Sequence, residues 1–293
     1  MWTSRSNLLI GLVLVSWGTT AITLADEPAR EPGPARNSPW RLSLMAYTYR
    51  KFTLFEAIDQ ARALGLKHLE TYGWQAISPD LKDVPFNPDA PVSAMAKVKN
   101  KLDDAGVRIS GFYAQEMGKN EDATRKVFDF AKLMEIPTLI CEPPAQAEAF
   151  EMIDRLANAY RINVAIHNHP APSTYADPET ALKLIRNCSP RIGICADTGH
   201  WVRSRLNPAE CLKRSAGRLI QLHLKDVSEA QKEGRDVPWG TCVGDIHAQL
   251  AELHLQGFDG IFSIEYESNP DDPTADVRKC IEYFKGVAGK LGR

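Results

Sequence analysis

Four side chains that close successive apolar runs have the chemistry of a cation site: His167 in AIHNHP, Asp197 in ICADTGHW, His223 in LHLKD and Glu265 in SIEYE. Two imidazoles and two carboxylates form a mixed nitrogen and oxygen shell suited to one divalent metal ion, Mn²⁺, Mg²⁺, Co²⁺ or Zn²⁺. A carboxylate buried without a partner is costly, and a shared metal is a simple common partner for all four. A lone His in a strand reads as a hydrogen-bonded core residue, so the metal reading rests on the quartet. His169 and His200, which follow His167 and Asp197 closely, are then placed beside a substrate or behind the ligands.

Other polar groups stand at similar positions. Glu142, in LICEPP, ends an apolar run just before two prolines that fix its backbone, so it is a candidate acid or base alongside Glu265 and His167. The bland alternative is that Glu142 accepts backbone N–H groups of the next loop; Glu70 and Glu116 carry the same ambiguity. Tyr72, Trp74, Tyr113 and Trp201 lie just past run ends, where their rings either stack on the C–H surfaces of a ligand or pack the top of the fold. Strand alternation puts Lys225 on the same inward side as His223, within reach of a substrate oxygen or a ligand carboxylate, and turns Asp226 away. The segment DVPWGTCVGDI that follows reads as a flexible cover or a plain long connection.

The elements that must position these groups repeat regularly. Eight apolar runs, near 42–47, 68–72, 109–113, 138–141, 163–168, 192–197, 219–225 and 260–265, alternate with amphipathic stretches at 54–64, 93–105, 123–134, 148–160, 179–185, 209–215, 246–255 and 275–291. Eight strand–helix units in about 250 residues match a single-domain (β/α)8 TIM barrel, whose active site sits at the C-terminal ends of the strands. An open doubly wound sheet would need a Gly-rich turn after the first strand, and TYRKFTLFEAI has no glycine.

In this order, IHNHP, DTGHW, HLKD and IEYE resemble the sugar phosphate isomerase/epimerase family with a xylose isomerase-like barrel, over nearly the whole of residues 40–293. The resemblance implies one divalent metal held through Glu, Asp, His and Glu, with two glutamates exchanging the substrate proton. Residue by residue it assigns ligand roles to Asp197, His223 and Glu265, places His200 near substrate oxygens and gives Lys225 a supporting role. His167 departs from the pattern, standing where the family commonly has Glu; a neutral imidazole alters both the charge and the acid–base strength of the shell.

The expected reaction is isomerisation or epimerisation of an unphosphorylated sugar or keto-sugar through an enediolate, with Glu265 as base and His167 or Glu142 returning the proton. Elimination from a keto-sugar or keto-glycoside is the alternative outcome of the same chemistry, and a non-catalytic carbohydrate-binding barrel is the alternative of another class.

Composition sets the remaining bounds. The chain has 293 residues, 44% hydrophobic and 25% charged, with 35 Lys and Arg against 37 Asp and Glu. With no basic block, nucleic acid is an unlikely partner; a small carbohydrate is expected, and a homodimer is left open. Residues 1–25 read as a secretory signal with Thr23-Leu24-Ala25 before the cleavage point, and residues 26–39 as a Pro-rich leader, so the expected location is periplasmic or secreted, with no stable membrane span after cleavage. The six cysteines have no paired spacing and read as free, mostly buried thiols.

Overall fold

The computed structural model describes Met1 and residues 40–115 and 117–293. The expected signal and leader, and Glu116, lie outside the described residues. Eight parallel strands close into a barrel in the order β1-β10-β7-β6-β5-β4-β3-β2. They are β1 (Arg41–Met45), β2 (His68–Tyr72), β3 (Arg108–Tyr113), β4 (Thr138–Cys141), β5 (Asn163–His167), β6 (Ile192–Asp197), β7 (Leu219–Leu224) and β10 (Ile261–Ile264). Strands such as TLIC and IGICAD are buried at every position, as expected where side chains face either the barrel interior or the surrounding helices.

The helices between them begin where the sequence supplies a cap. Thr53 and Glu56 form a reciprocal capping box on α1 (Leu54–Ala63), and Asn120 caps α3 (Glu121–Leu133). Gly106, at φ 64°, ends α2 (Val92–Ala105) in the left-handed conformation that glycine adopts without a Cβ penalty. The remaining long helices are α4 (Ala147–Tyr160), α5 (Pro178–Ile185), α8 (Ile246–Leu255) and α9 (Thr274–Lys290), with the shorter α7 (Pro208–Arg214). Among the described residues no helix is long and apolar enough to cross a membrane, and none of the six cysteines is paired.

Two elements depart from the expected pattern. A further short helix, α6 (Thr198–Arg203), starts directly at the end of β6, because the Asp197 side chain accepts the His200 backbone N–H at 2.8 Å. The long connection after β7 is also not a loose cover. Its first part folds into an antiparallel hairpin of β8 (Asp226–Val227) and β9 (Asp236–Val237). The carboxylate of Asp226, fully buried, then accepts N–H bonds from Val227, Thr241, Cys242 and Gly244 at 2.8–3.0 Å. Asp226→Ala should leave those donors unpaired and destabilise the fold by about 2–4 kcal/mol. A urea midpoint equal to that of the parent protein would show that the loop is held by something else.

Strand register aligns the top of the barrel. Asp197 pairs with His223 across β6 and β7, after a register shift between Ile194 and Cys195, and Ser263 pairs with His223 across β10 and β7. Another shift falls immediately before Glu70 in β2 and aims that carboxylate into the barrel. At the opposite face, the first and last described segments meet. The Trp40 indole donates to the Phe258 carbonyl at 2.9 Å, and Arg293 donates to the same carbonyl at 3.2 Å.

Candidate metal centre and active site

The quartet read from the sequence converges. One ligand atom from each of His167, Asp197, His223 and Glu265 lies within 4.8 Å of the others, and all four residues are buried. The two imidazoles are oriented by carboxylates behind them. His223 Nε2 meets Glu70 Oε1 at 2.7 Å, which leaves Nδ1 facing Glu265 Oε2 at 3.1 Å and Asp197 Oδ2 at 3.9 Å. His167 Nδ1 meets Glu142 Oε1 at 3.2 Å, leaving Nε2 toward Asp197 Oδ2 at 3.7 Å. An outer carboxylate of this kind fixes both the tautomer and the ring plane of a metal-binding histidine.

Asp197 Oδ2 and His223 Nδ1 are buried and make no well-aligned hydrogen bond, although Lys225 Nζ stands 3.0 Å from the first and Glu265 Oε2 3.1 Å from the second. Both point into the quartet, so the donor set fits a divalent cation. Asp197 is placed by its neighbours: its backbone N–H donates to Asn168 Oδ1 at 2.9 Å, and its carbonyl accepts Asn168 Nδ2 at 3.0 Å.

Lys225 is the fixed positive charge of the site. Fully buried, its Nζ lies 2.7 Å from Glu265 Oε2, 3.0 Å from Asp197 Oδ2 and 2.6 Å from Glu267 Oε1. Burial works against its charge, but Asp197, Glu265 and Glu267 overcome this and hold the ammonium well above its usual range. Burial also penalises the Glu265 carboxylate, and Lys225 and His223 more than reverse that, keeping it ionised. His223 is likewise pushed down by burial and carried well above its ordinary value by Cys195, Glu70 and Glu265. Burial dominates at His200, which is held well below its ordinary value and therefore neutral.

Glu142 lies beside the quartet as the centre of a second cluster. It accepts the Tyr113 hydroxyl at 3.0 Å, approaches His169 Nδ1 more closely still, and receives Ser173 Oγ at 3.4 Å. Burial raises its pKa, and the His167 and His169 bonds outweigh it, so the carboxyl stays well below the usual range.

A cavity of about 290 Å³ opens above these groups. Glu265, His167, His223, His169 and His200 form its reactive wall, and Tyr47, Trp74 and Tyr113 its aromatic wall. A larger cavity of about 650 Å³ lies at the opposite end of the barrel, lined by Arg41, His68 and Gly260, away from all of this chemistry.

Not every expected residue reaches the cavity. Trp201, on α6, is fully buried, and Tyr72 is packed behind Trp74 with ring centroids 4.6 Å apart, so both are packing residues in this structure. Lys225 acts on the ligand carboxylates and is itself 1% exposed. Conversely, Glu70, Glu267, Tyr47 and Gln115 take part without having been assigned. Glu267 was visible two residues after Glu265, and Glu70 as a strand-end acid; the partners that give them meaning lie far off in sequence.

The closed parallel barrel defines a class, the (β/α)8 TIM barrels, and its strand ends bring together a His/Asp/Glu quartet that could hold a metal ion. More narrowly, the chain belongs to the xylose isomerase-like TIM barrel family, which matches residues 58–286. No curated protein matches the chain at a significant level. Among solved structures, an uncharacterised protein from Parabacteroides distasonis is 29% identical, with a TM-score of 0.68 over 84% of this chain and 98% of that one. A D-tagatose 3-epimerase-like protein is 16% identical, with a TM-score of 0.66 over 86% and 98%. The IOLI protein, solved with a zinc atom, is 15% identical, with a TM-score of 0.67 over 86% and 99%.

Proposed function

We propose that the protein is a divalent-metal-dependent enzyme that removes a proton next to the ketone of an unphosphorylated sugar, acting as an isomerase or epimerase. The observation that carries this is the buried convergence of His167, Asp197, His223 and Glu265, one ligand atom of each within 4.8 Å of the others, beneath a cavity. The epimerase-like and zinc-containing neighbours support the same reading. His167, Asp197, His223 and Glu265 would hold the ion; Lewis-acid withdrawal of charge from the substrate carbonyl is the chemistry it supplies when bound.

The chain's own groups move the protons. Glu265, kept ionised by Lys225, takes the proton from the carbon next to the ketone. His169, half exposed, lining the same cavity and held by Glu142, is the group that returns a proton. Trp74 and Tyr113 offer ring faces to the sugar's C–H surface. The His169–Glu142 pair, in place of a second glutamate, also favours elimination as a second outcome. There the C–H and adjacent C–O bonds break, a C=C bond forms, and His169 protonates the departing oxygen. The sequence at residues 1–25 supports an exported, periplasmic or secreted enzyme.

The test is elemental analysis of the purified protein together with solvent deuterium exchange into a panel of keto-sugars. About one divalent ion per chain, and exchange that stops on chelation and returns with metal, are expected. Because His167 and His223 are raised above their ordinary values before metal binds, uptake must displace protons. Metal affinity should therefore rise with pH through and beyond the ordinary imidazole range, with proton release measurable in weakly buffered solution. A metal-free protein that still exchanges the substrate proton sinks the reading.

A further inference from the structure

Helix α6 carries a charged group that the chemistry above does not use. Arg203 stands one turn beyond His200 on the same helix face, and its side chain is only 10% exposed. A guanidinium keeps its charge wherever it is placed, so one held this deep must be met by acceptors. Three meet it. Its Nε donates to the Gly234 carbonyl at 2.9 Å, its Nη2 donates to Asp236 Oδ1, and its Nη1 lies 3.3 Å from His200 Nδ1.

The first two contacts anchor the arginine on the β8–β9 hairpin. The third constrains the histidine. A guanidinium only donates and does not give up a proton in a protein, so the nitrogen facing it has to be an acceptor. His200 Nδ1 is therefore unprotonated, and the ring carries its proton on Nε2. That atom lies 3.5 Å from Asp197 Oδ2, on the side of the quartet, and the ring lines the cavity, stacked on His169 with centroids 5.1 Å apart. At the site His200 presents an N–H and no free lone pair.

The sequence DTGHWVR makes room for this arrangement. A Cβ at Gly199 would come within 2.6 Å of Lys225 Cβ and 3.2 Å of Arg203 Nη1, so the missing side chain lets the lysine stem and the guanidinium lie close together. Asp236 then serves both. Its Oδ1 holds Arg203, while its Oδ2 accepts the Glu267 backbone N–H at 2.8 Å, and Glu267 in turn meets Lys225 Nζ.

We propose that Arg203, anchored on the hairpin through Asp236, is a positioning residue that fixes His200 as the Nε2–H tautomer. His200 is thereby a hydrogen-bond donor at the cavity, not a proton acceptor or a metal ligand. The tautomer stands on these contacts alone. Its use, donating to a substrate oxygen on which negative charge develops, rests on the enolisation reading given above.

The test begins with the metal-free full chain labelled with ¹⁵N in its imidazoles, the His200 signals being those lost in His200→Gln. The parent should show an acceptor-type Nδ1 and a proton-bearing Nε2. In Arg203→Met both signals should move toward the average of two tautomers. Because that variant strands the buried Asp236 carboxylate, Arg203→Met/Asp236→Asn is measured beside it and should give the same spectrum without the unpaired charge. A parent spectrum with the proton on Nδ1, or one that neither variant changes, would overturn the assignment.

Solvent deuterium exchange into D-fructose and D-tagatose, with metal-loaded protein, then tests the use of that proton. Both Arg203 variants should lose about 10- to 100-fold in kcat with a smaller change in KM. His200→Gln keeps an N–H near the position of Nε2 and has no base, so it should exchange at least about tenfold faster than His200→Leu, which loses the donor altogether. Equal rates for those two variants would overturn the donor role. If neither ketohexose exchanges in the parent protein, the enolisation reading loses its support, and the spectrum alone upholds or overturns the tautomer.

Discussion

Glu265→Gln is expected to lower the rate of proton exchange by about 10²–10⁴-fold, the usual contribution of a positioned general base. The carboxylate lines the cavity, is kept ionised by Lys225, and shares the quartet with His223. The amide is nearly isosteric and still offers an oxygen to Lys225 Nζ, so the barrel should fold normally. What it loses is basicity and one anionic ligand. Two measurements separate those losses: metal content by elemental analysis, and exchange with metal in large excess. Weak metal binding with near-normal exchange at saturation would mean that Glu265 is a ligand only and that the base is elsewhere, with His169 the next candidate.

Lys225→Met carries the largest expected effect on stability. The ammonium, itself fully buried, neutralises Asp197, Glu265 and Glu267, and removing one partner of a buried ionic cluster costs about 3–5 kcal/mol. Two of the three stranded carboxylates are also quartet ligands, so a divalent ion should restore much of the loss. At a hundred times its dissociation constant, binding to the folded state alone returns about 2.7 kcal/mol. The variant is therefore expected to melt well below the parent when metal-free and to approach it when metal is added. A metal-free variant as stable as the parent, or a deficit that metal does not reduce, would show that Lys225 is not the counter-charge of the site.

The barrel was legible because its signal is local. Strands β2, β4 and β6 begin and end where the apolar runs do, and all eight long amphipathic stretches are helices. The quartet was legible because each member ends such a run and so projects over the barrel mouth. Failures occurred where meaning depends on distant partners or on very short elements. Glu70 acquires its role from His223, 153 residues away and brought across the barrel by closure. Helix α6 has six residues, too few to show a period, and overlooking it made Trp201 look like a mouth residue when it faces the core. The connection after β7 looked flexible from its glycines, because nothing in a linear reading shows that one buried carboxylate gathers four of its N–H groups. Asp236, in the same hairpin, accepts the Glu267 backbone N–H at 2.8 Å and thereby sets the position of Lys225's third partner.

The meeting of the first and last described segments at the Phe258 carbonyl gives the molecule a polarity of use. Residue 40 and residue 293 both leave the barrel from the face opposite the strand C-terminal ends. An anchor at either end, whether a surface linker or a fused partner, would thus hold the barrel like a cup on its base, with the rim turned outward to passing solute. Attachment at residue 40 or residue 293 should therefore leave the mouth open, whereas cross-linking through Lys126 or the residues around Trp74 would close the rim.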